Sequence, residues 1–396
     1  MNNIVFLIKQ MSGGGAERVI SLLYNSFSER SYNATLLITH QSLIDADLTS
    51  IKKNGRIISL EDEITRESQR LKSFLMLKAR LMGKLNRAFL RKSDDRYLIK
   101  KYEVRNYDKV QWIKKYFAKK QKHIIIAFLN DSIYLALLSA KKGDRVIISE
   151  RSDPSQSVSS RTTVAFYNTL YSKADRIVFQ SPDVMRWYKE NAGVNGKVIF
   201  NPVKPDLPER YIGKRKKKIV NFCRISPPKK LDILIDAFSI FASRHDDYEL
   251  YIYGDADRVA PAYYGFVKEK INSVNNYEKI HLRPAMIDIH SEIFDYAMFV
   301  SSSVFEGMSN SMLEAMAIGL PTICTDCPAG GARAVIKDHE NGILVPVNDV
   351  QALANAMKEV AEDPELAEKL SVNGTKLREE LSVDKIINQW MEIIND

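Results

Sequence analysis

The chain has 396 residues, of which 45% are hydrophobic and 27% charged, with a formal net charge of +9. This composition excludes a disordered chain, and the length leaves room for two domains with complete cores. Three cysteines argue against an exported disulfide scaffold, and without a basic leader or an apolar run of spanning length we expect a cytoplasmic protein, peripheral on the plasma membrane.

The first predicted strand leads into a glycine-rich loop. Residues 4–8 are continuously apolar, as in a buried parallel strand, and residues 13–15 are three glycines that precede a helical pattern. Glycines at a helix N-terminus let a ligand lie against the backbone, but they also serve in tight turns that need a positive φ. The spacing fits neither a dinucleotide fingerprint nor a P-loop, so both interpretations stay open.

A basic segment, about residues 64–122, then interrupts the alternation of strands and helices. Between Arg66 and Lys122 there are nineteen Lys or Arg and five Asp or Glu, a local balance of +14, so the rest of the chain carries −5. Apolar residues at helical spacing predict an amphipathic helix, which either packs on the N-terminal domain or lies on an anionic membrane. We expect no nucleic-acid partner, because no recognition motif accompanies the charge. The apolar positions are Leu71, Phe74, Leu75, Leu81, Met82, Leu85, Ala88 and Phe89.

Two further apolar strands end in polar loops, at Leu129-Asn130 and at Glu150-Arg151. Carboxyl ends of parallel strands share one edge of a sheet, so both loops are expected on its ligand side. A linker rich in Pro and Lys follows. We therefore predict an N-terminal domain, residues 1–203, and a C-terminal domain, residues 204–381. The last predicted helix, residues 382–396, has an apolar stripe suited to crossing back to the N-terminal domain.

The second half opens with a strand that delivers Arg224, and Lys229 is predicted at the start of the next helix. Positive side chains at a helix N-terminus are electrostatically disfavoured, which points to an anion between the two cations. The alternative is a solvated pair of charges.

Other short patterns carry less information. Asp45-x-Asp47 and Asp255-x-Asp257 match a metal-binding pattern, but two carboxylates are too few to fix a metal, so we predict no metal site. The Cys324-x-x-Cys327 pair lacks a second pair or a nearby histidine to complete a zinc set.

The most informative stretch is residues 299–321. A short apolar strand ends at three serines, a loop follows, and Ser311 is predicted to open a helix. Ser311-x-x-Glu314 fits a capping box, which explains Glu314 without a ligand. Glu306 has no such local role and is free to accept hydrogen bonds from a bound polyol.

These residues resemble a known signature. Glu306-Gly307 and Glu314-Ala-Met-Ala-x-Gly-Leu-Pro are similar to the motif of retaining family-four glycosyltransferases of the GT-B fold. Arg224 and Lys229 align with the diphosphate clamp of that family. The likeness extends over nearly the whole chain. The run Ser149-Glu150-Arg151-x-Asp153-Pro154 is similar to a subgroup of the family that extends bacterial lipid-linked glycans and surface polysaccharides.

The chain departs from the family pattern at two places. The family usually has glycine where Lys230 stands, which puts the local helix geometry in question. Many relatives have a histidine in the loop that here contains Leu129 and Asn130, so the resemblance gives no histidine-assisted step.

The resemblance implies an α/β fold of two Rossmann-like doubly wound domains that face each other across a cleft. It implies catalytic roles for Arg224, Lys229 and Glu306. The residues that it implies in donor binding are Gly14, Gly15, Arg283, Gly307, Met308, Ser309, Asn310 and Glu314.

The reaction implied is metal-independent transfer of a sugar, with retention, from a nucleotide-sugar, with a UDP-sugar favoured, to a lipid-linked glycan. The nucleotide-sugar is a substrate, so no cofactor is expected. Two alternatives are a non-catalytic nucleotide- or glycan-binding scaffold on the membrane and a glycan phosphorylase. No local sequence marks the pyridoxal lysine that a phosphorylase needs.

Overall fold

The protein forms two compact α/β units in a computed structural model, Met1–Ile199 with Ile387–Asp396 and Phe200–Ile386. The structure describes residues 3–30, 32–52, 55–64, 95–118, 121–151 and 161–396, together with positions 70, 73, 74, 76, 77, 81 and 154.

The first unit is built on a parallel sheet of seven strands. They are β1 (Asn3–Ile8), β2 (Asn33–Ile38), β3 (Arg56–Ser59), β4 (His123–Phe128), β5 (Arg145–Glu150), β6 (Arg176–Phe179) and β7 (Lys197–Val198). Their order is β3-β2-β1-β4-β5-β6-β7. Strand β1 pairs with both β2 and β4, so the strand order reverses beside β1, where doubly wound proteins bind ligands. Residues 4–8 are buried, as expected of a strand covered on both faces.

The described helices of the first unit precede or follow these strands along the chain. They are α1 (Gly15–Glu29), α2 (Leu60–Glu63), α3 (Asp95–Arg105), α4 (Tyr107–Ala118), α5 (Asn130–Ser139), α6 (Arg161–Tyr171) and α7 (Pro182–Ala192). Helices α3 and α4 belong to the predicted basic segment. Most of its predicted apolar stripe lies outside the described residues, except for Phe74 and Leu81, which are helical.

The second unit repeats the same topology with six parallel strands. They are β8 (Lys216–Phe222), β9 (Glu249–Tyr253), β10 (Ile280–Arg283), β11 (Tyr296–Ser301), β12 (Thr322–Thr325) and β13 (Ile343–Val345). Their order is β10-β9-β8-β11-β12-β13, so the reversal falls between β8 and β11. The prediction of two Rossmann-like α/β units is confirmed.

Helices cover the second sheet. They are α8 (Leu231–Ala242), α9 (Ala262–Asn272), α10 (Ile289–Ile293), α11 (Asn310–Ala317), α12 (Val350–Glu362), α13 (Pro364–Gly374) and α14 (Leu377–Glu380). Buried residues of α8 and α12 share one apolar core with residues of β8 to β13. Within the described parts of the chain, no helix combines the length and apolarity needed to cross a bilayer.

Helix α15 (Val383–Asn395) supplies the last part of the first unit's core. Trp390 is fully buried and its ring lies 5.9 Å from that of Phe128. Arg145 donates hydrogen bonds to the carbonyl oxygens of Ile393, at 3.2 Å, and Ile394. The apolar stripe noted in the sequence, which also includes Ile386 and Ile387, is buried throughout.

We expect Trp390→Ala to lower the free energy of unfolding by about 3–5 kcal/mol, because it removes the largest buried side chain of α15 and leaves a cavity. Urea denaturation followed by circular dichroism measures this. Gln389→Ala, at an exposed position of the same helix, is the control and should be close to neutral. Equal effects of the two substitutions would contradict the packing described for α15.

Candidate active site

The candidate site of the second unit lies where β8 and β11 end. Arg224 follows β8 by two residues and Glu306 follows β11 by five. These are the two strands between which the strand order reverses, and ligands of doubly wound folds bind outside the carboxyl ends of such strands. The topology therefore brings two of the predicted catalytic residues to the usual ligand side of this sheet.

Lys229 ends a short 3-10 turn, Pro227–Lys229, and does not start helix α8, which begins at Leu231. The expectation of Lys229 at the helix start was wrong by two residues, because Lys230 intervenes with φ 48° and ψ 48°. This left-handed conformation costs a residue with a Cβ about 1–2 kcal/mol. It explains why glycine would be the natural residue at the position of Lys230.

Hydrogen bonds hold this turn against the loop after β11. Ser302 Oγ lies 2.9 Å and 2.8 Å from the carbonyl oxygens of Lys229 and Lys230, to which the hydroxyl donates. The backbone N–H of Val304 donates to the carbonyl oxygen of Pro228 at 2.9 Å. The two segments are therefore fixed together through their backbones.

Lys229 and Glu306 form an ion pair across this junction, with their side chains about one-fifth exposed. Ser303 Oγ also donates to Glu306 Oε1, at 3.2 Å. Burial alone would lower the pKa of Lys229, but the charge of Glu306 and the neighbouring Cys223 thiol outweigh burial, so the pKa of Lys229 lies above its usual value. The pair keeps Lys229 positively charged in a site that is partly shielded from water.

Arg224 contacts a different carboxylate. Its guanidinium lies 3.6 Å from Asp257 and is about half exposed. Asp257 also accepts hydrogen bonds from the backbone N–H groups of Val259, at 2.7 Å, and Ala260, at 3.3 Å. The two predicted clamp cations thus each have their own acidic partner.

The loop that contains Gly307, Met308 and Ser309 leads into the N-terminus of α11. Ser309 caps this helix, because its side chain accepts from the backbone N–H of Met312 at 3.4 Å. The prediction that Ser311 opens the helix was wrong, because the helix begins at Asn310 with Ser309 as its cap. Both serines have a hydroxyl that could serve as a cap, so composition alone does not separate them. The capping box assigned to Ser311 and Glu314 is not formed, so it does not account for Glu314.

Asn201 holds this loop. Its side-chain amide donates to the carbonyl oxygen of Met308 at 3.3 Å and to Asn310 Oδ1 at 2.7 Å. Gly331 lies so close that a Cβ built on it would be 1.7 Å from the carbonyl oxygen of Gly307. The loop is therefore shaped by two segments that lie far from it in sequence.

Glu314 points into the protein. It is 3% exposed, and its Oε2 lies 2.6 Å from Nε2 of His290, which is also 3% exposed. The carboxylate of Glu314 is thus engaged with a side chain from another helix, α10.

All three cysteines are free thiols, and each interacts electrostatically with Lys229 and Glu306. Burial raises the pKa of Cys223 to about 11 and that of Cys327 to about 12, and it raises the pKa of Cys324 well above its usual value. Thiols with such pKa values are almost entirely protonated at neutral pH and weakly reactive. No group of three or more His, Cys, Asp or Glu is arranged to hold a metal among the described residues.

The remaining predicted donor-binding residues lie in two places. Gly14 is the N-cap of α1 in the first unit, with φ −82°, and Gly15 is the first residue of that helix. Of the three glycines only Gly13, with φ 78°, needs the left-handed conformation. Arg283 is the exposed last residue of β10 in the second unit, and its carbonyl oxygen accepts from the N–H of Gly254 at 2.9 Å.

The loops after β4 and β5 lie at the carboxyl edge of the first sheet, as predicted. Leu129 has φ 69°, an uncommon conformation for a residue with a branched side chain. Glu150 is buried and accepts hydrogen bonds from the hydroxyls of Tyr171, at 2.6 Å, and Tyr188, at 3.2 Å. Of the run from Ser149 to Pro154, residues 152 and 153 lie outside the described residues.

Sequence reasoning missed four residues of the site: Asn201, His290, Ser302 and Gly331. No spacing rule links them to residues that are 24 to 109 positions away.

Parts of the chain are similar to known proteins. Residues 216–363 match the family model described as "Glycosyl transferases group 1". The chain is 27% identical over 259 residues to "N-acetylgalactosamine-N,N'-diacetylbacillosaminyl-diphospho-undecaprenol 4-alpha-N-acetylgalactosaminyltransferase" of Campylobacter jejuni, 60% of this chain and 67% of that protein. It is 26% identical over 205 residues to "Poly(ribitol-phosphate) alpha-N-acetylglucosaminyltransferase" of Staphylococcus aureus, 50% of this chain and 38% of that protein.

Solved structures show the same fold. Anabaena HepE in complex with UDP has a TM-score of 0.76 at 17% identity, with 99% of each chain covered. A mutant of S. aureus TarM in complex with Fondaparinux, alpha-GlcNAc-glycerol and UDP has a TM-score of 0.75 at 14% identity, with 100% of each chain covered. The fold is that of the GT-B glycosyltransferases. More particularly, residues 216–363, which lie within the second unit, are similar to the glycosyl transferases group 1 family model.

We expect Gly331→Ala to lower the free energy of unfolding by about 1–3 kcal/mol, because the added Cβ would overlap the carbonyl oxygen of Gly307 and push the two loops apart. Gly265→Ala is the control: it lies inside α9 with nothing within 4 Å of its Cβ position, and should stabilise by about 0.5–1 kcal/mol. Thermal unfolding of both variants measures the difference. A stable Gly331→Ala protein would show that the close approach is not required.

Proposed function

We propose that the protein is a retaining glycosyltransferase of the family-four type that transfers a sugar from a nucleotide-sugar to a glycan acceptor in bacterial polysaccharide synthesis. A UDP-sugar is the favoured donor, since two similar structures carry UDP. A lipid-linked acceptor is favoured because the Campylobacter jejuni relative is named for a diphospho-undecaprenol glycan. The alignments span 38% and 67% of the lengths of the two named relatives, so the activity is inferred from the site.

The observation that carries this proposal is the group of charges at the ends of β8 and β11. Breaking a glycosyl phosphate bond develops negative charge on the leaving diphosphate and positive charge on the sugar. Arg224, Lys229 and the N–H groups of the loop before α11 would stabilise that diphosphate in place of a divalent metal. Here the elevated pKa of Lys229 is useful, because its ammonium stays charged over the whole physiological range.

Glu306 has a double role in this proposal. It neutralises Lys229 while the site is empty and accepts a hydrogen bond from Ser303. A carboxylate has about four acceptor positions, so Glu306 can also accept from a hydroxyl of the transferred sugar. We propose front-face transfer, in which the departing phosphate takes the proton of the acceptor hydroxyl. In this proposal Glu314 holds the ribose hydroxyls, while donor binding by Gly14 and Gly15 stays a prediction from the resemblance.

We expect Arg224→Ala to reduce the rate of sugar transfer by about 30-fold to 1,000-fold, the loss expected for one donor to a developing negative charge. The measurement is UDP release from a panel of UDP-sugars with a lipid-linked glycan acceptor. Arg258→Ala, an exposed arginine next to Asp257, is the matched control and should retain activity. Transfer by Arg224→Ala at the wild-type rate would overturn the proposed leaving-group role, and no turnover by the wild type would favour a binding scaffold.

We also propose that the basic segment contacts an anionic membrane. Phe74, Leu77 and Leu81 are helical and 63%, 58% and 55% exposed, and their spacing puts them on one face of a helix. The surrounding sequence is strongly basic. Exposed apolar residues among basic ones are typical of helices that lie in the membrane interface, whereas a helix packed on the domain would cover them.

We expect the triple substitution Phe74→Ser, Leu77→Ser, Leu81→Ser to weaken binding to vesicles of phosphatidylglycerol by at least about tenfold, since each buried side chain contributes about 1.5–3 kcal/mol. Co-sedimentation with vesicles measures this. Ile44→Ser, at a 93% exposed position elsewhere in the first unit, should leave binding unchanged. Equal binding of the wild type to neutral phosphatidylcholine vesicles would argue against the electrostatic part.

A further inference from the structure

His290 and Glu314 form a buried contact that the sequence motifs do not include. His290 lies on α10, immediately before β11 in the chain, and Glu314 lies on α11, immediately after the candidate site loop. Nε2 of His290 and Oε2 of Glu314 are 2.6 Å apart, and each side chain is 4% exposed. The ring donates through Nε2–H, because a carboxylate only accepts.

Aromatic packing fixes the imidazole ring from another side. Phe222, the last residue of β8, contacts the ring of His290 edge to face, with centroids 5.8 Å apart. Phe222 also packs against the buried Phe299 of β11, at 5.3 Å. The ring of His290 therefore has a set position between the end of β8 and the carboxylate of Glu314.

We propose that His290 is a positioning residue, which sets the orientation of the Glu314 carboxylate for the vicinal hydroxyls of a nucleoside. The inference rests on the proposed function, in which Glu314 holds the ribose. The bond from His290 occupies one of the about four acceptor positions of the carboxylate and fixes the plane of the others. A diol needs two acceptor positions at a defined angle, so a carboxylate free to rotate about χ3 would bind it less well.

The His290–Glu314 pair differs from the Lys229–Glu306 pair in its exposure to solvent. Lys229 and Glu306 are about one-fifth exposed and within reach of an incoming anion. His290 and Glu314 are almost fully covered, so only a small part of the carboxylate is open to a ligand. His290 therefore acts on donor affinity through Glu314 and not by touching the reacting atoms.

The test compares two substitutions of His290 in the full-length protein. His290→Leu removes the donor, whereas His290→Gln keeps an N–H at the end of the side chain. We expect His290→Leu to raise the Kd for UDP and the KM for the UDP-sugar by about tenfold to a hundredfold. The kcat should change by less than about threefold, because the substitution weakens binding of the ground state and of the transition state equally. His290→Gln should recover most of the affinity.

A double-mutant cycle with Glu314→Gln shows whether His290 acts through Glu314. If it does, the double variant binds UDP no more weakly than the weaker single variant. His245→Leu is the matched control, since His245 also contacts a glutamate, Glu362, at 3.1 Å, but at the surface of the same unit. It should leave UDP affinity unchanged. Circular dichroism checks that each variant is folded.

Each outcome decides the point. Three results would overturn the positioning role: an unchanged donor KM in His290→Leu, additive effects in the double-mutant cycle, or failure of His290→Gln to restore binding. In each case a wild-type protein that binds UDP keeps the proposed function intact. A wild type that binds no UDP by calorimetry would overturn both. If His290→Leu does not fold, the UDP affinities of His290→Gln and of the double variant are compared instead. The double variant has two neutral side chains, so it leaves no unpaired charge buried.

Discussion

The backbone junction between the turn after β8 and the loop after β11 is the constraint on which the candidate site depends. Ser302 and Val304 tie the loop to the carbonyl oxygens of residues 228–230, and only because of this are Lys229 and Glu306 close enough to pair. Strands β8 and β11 are neighbours in the sheet, and the contact between Ser302 and Lys229 joins residues 73 positions apart in the chain. The two strand ends thereby act as one rigid support. A site built on such a support needs little reorganisation when charge develops on a ligand.

Much of the fold could be predicted from the sequence, because apolar runs, glycines and the β/α alternation are local signals. The motif around Glu306 and Glu314 located the site, and Arg224 and Lys229 were found by their place after a strand. The errors came from local ambiguity. Ser309 and Ser311 are both residue types that cap helices, and the left-handed Lys230 delays the helix start by two residues.

The partners of the site residues could not be predicted in this way. Asn201, His290 and Gly331 contact the site through tertiary packing, and nothing in their own sequence neighbourhood specifies which loop they will meet. Glu314 shows the difference most clearly. A local rule assigned it to a cap, whereas the fold buries it against a histidine on another helix. Leaving a buried carboxylate without its partner costs more free energy than losing a surface cap.

The discontinuity of the first unit has a consequence for biosynthesis. Residues 1–199 leave the ribosome first, yet the partner of Phe128, Trp390, and the carbonyl acceptors of Arg145 are made only after the whole second unit. The nascent first unit must therefore wait with part of its apolar core open to the solvent, and a chain arrested before residue 387 would present that surface to chaperones and proteases. Completion of the first unit's core thus depends on prior synthesis of the second unit.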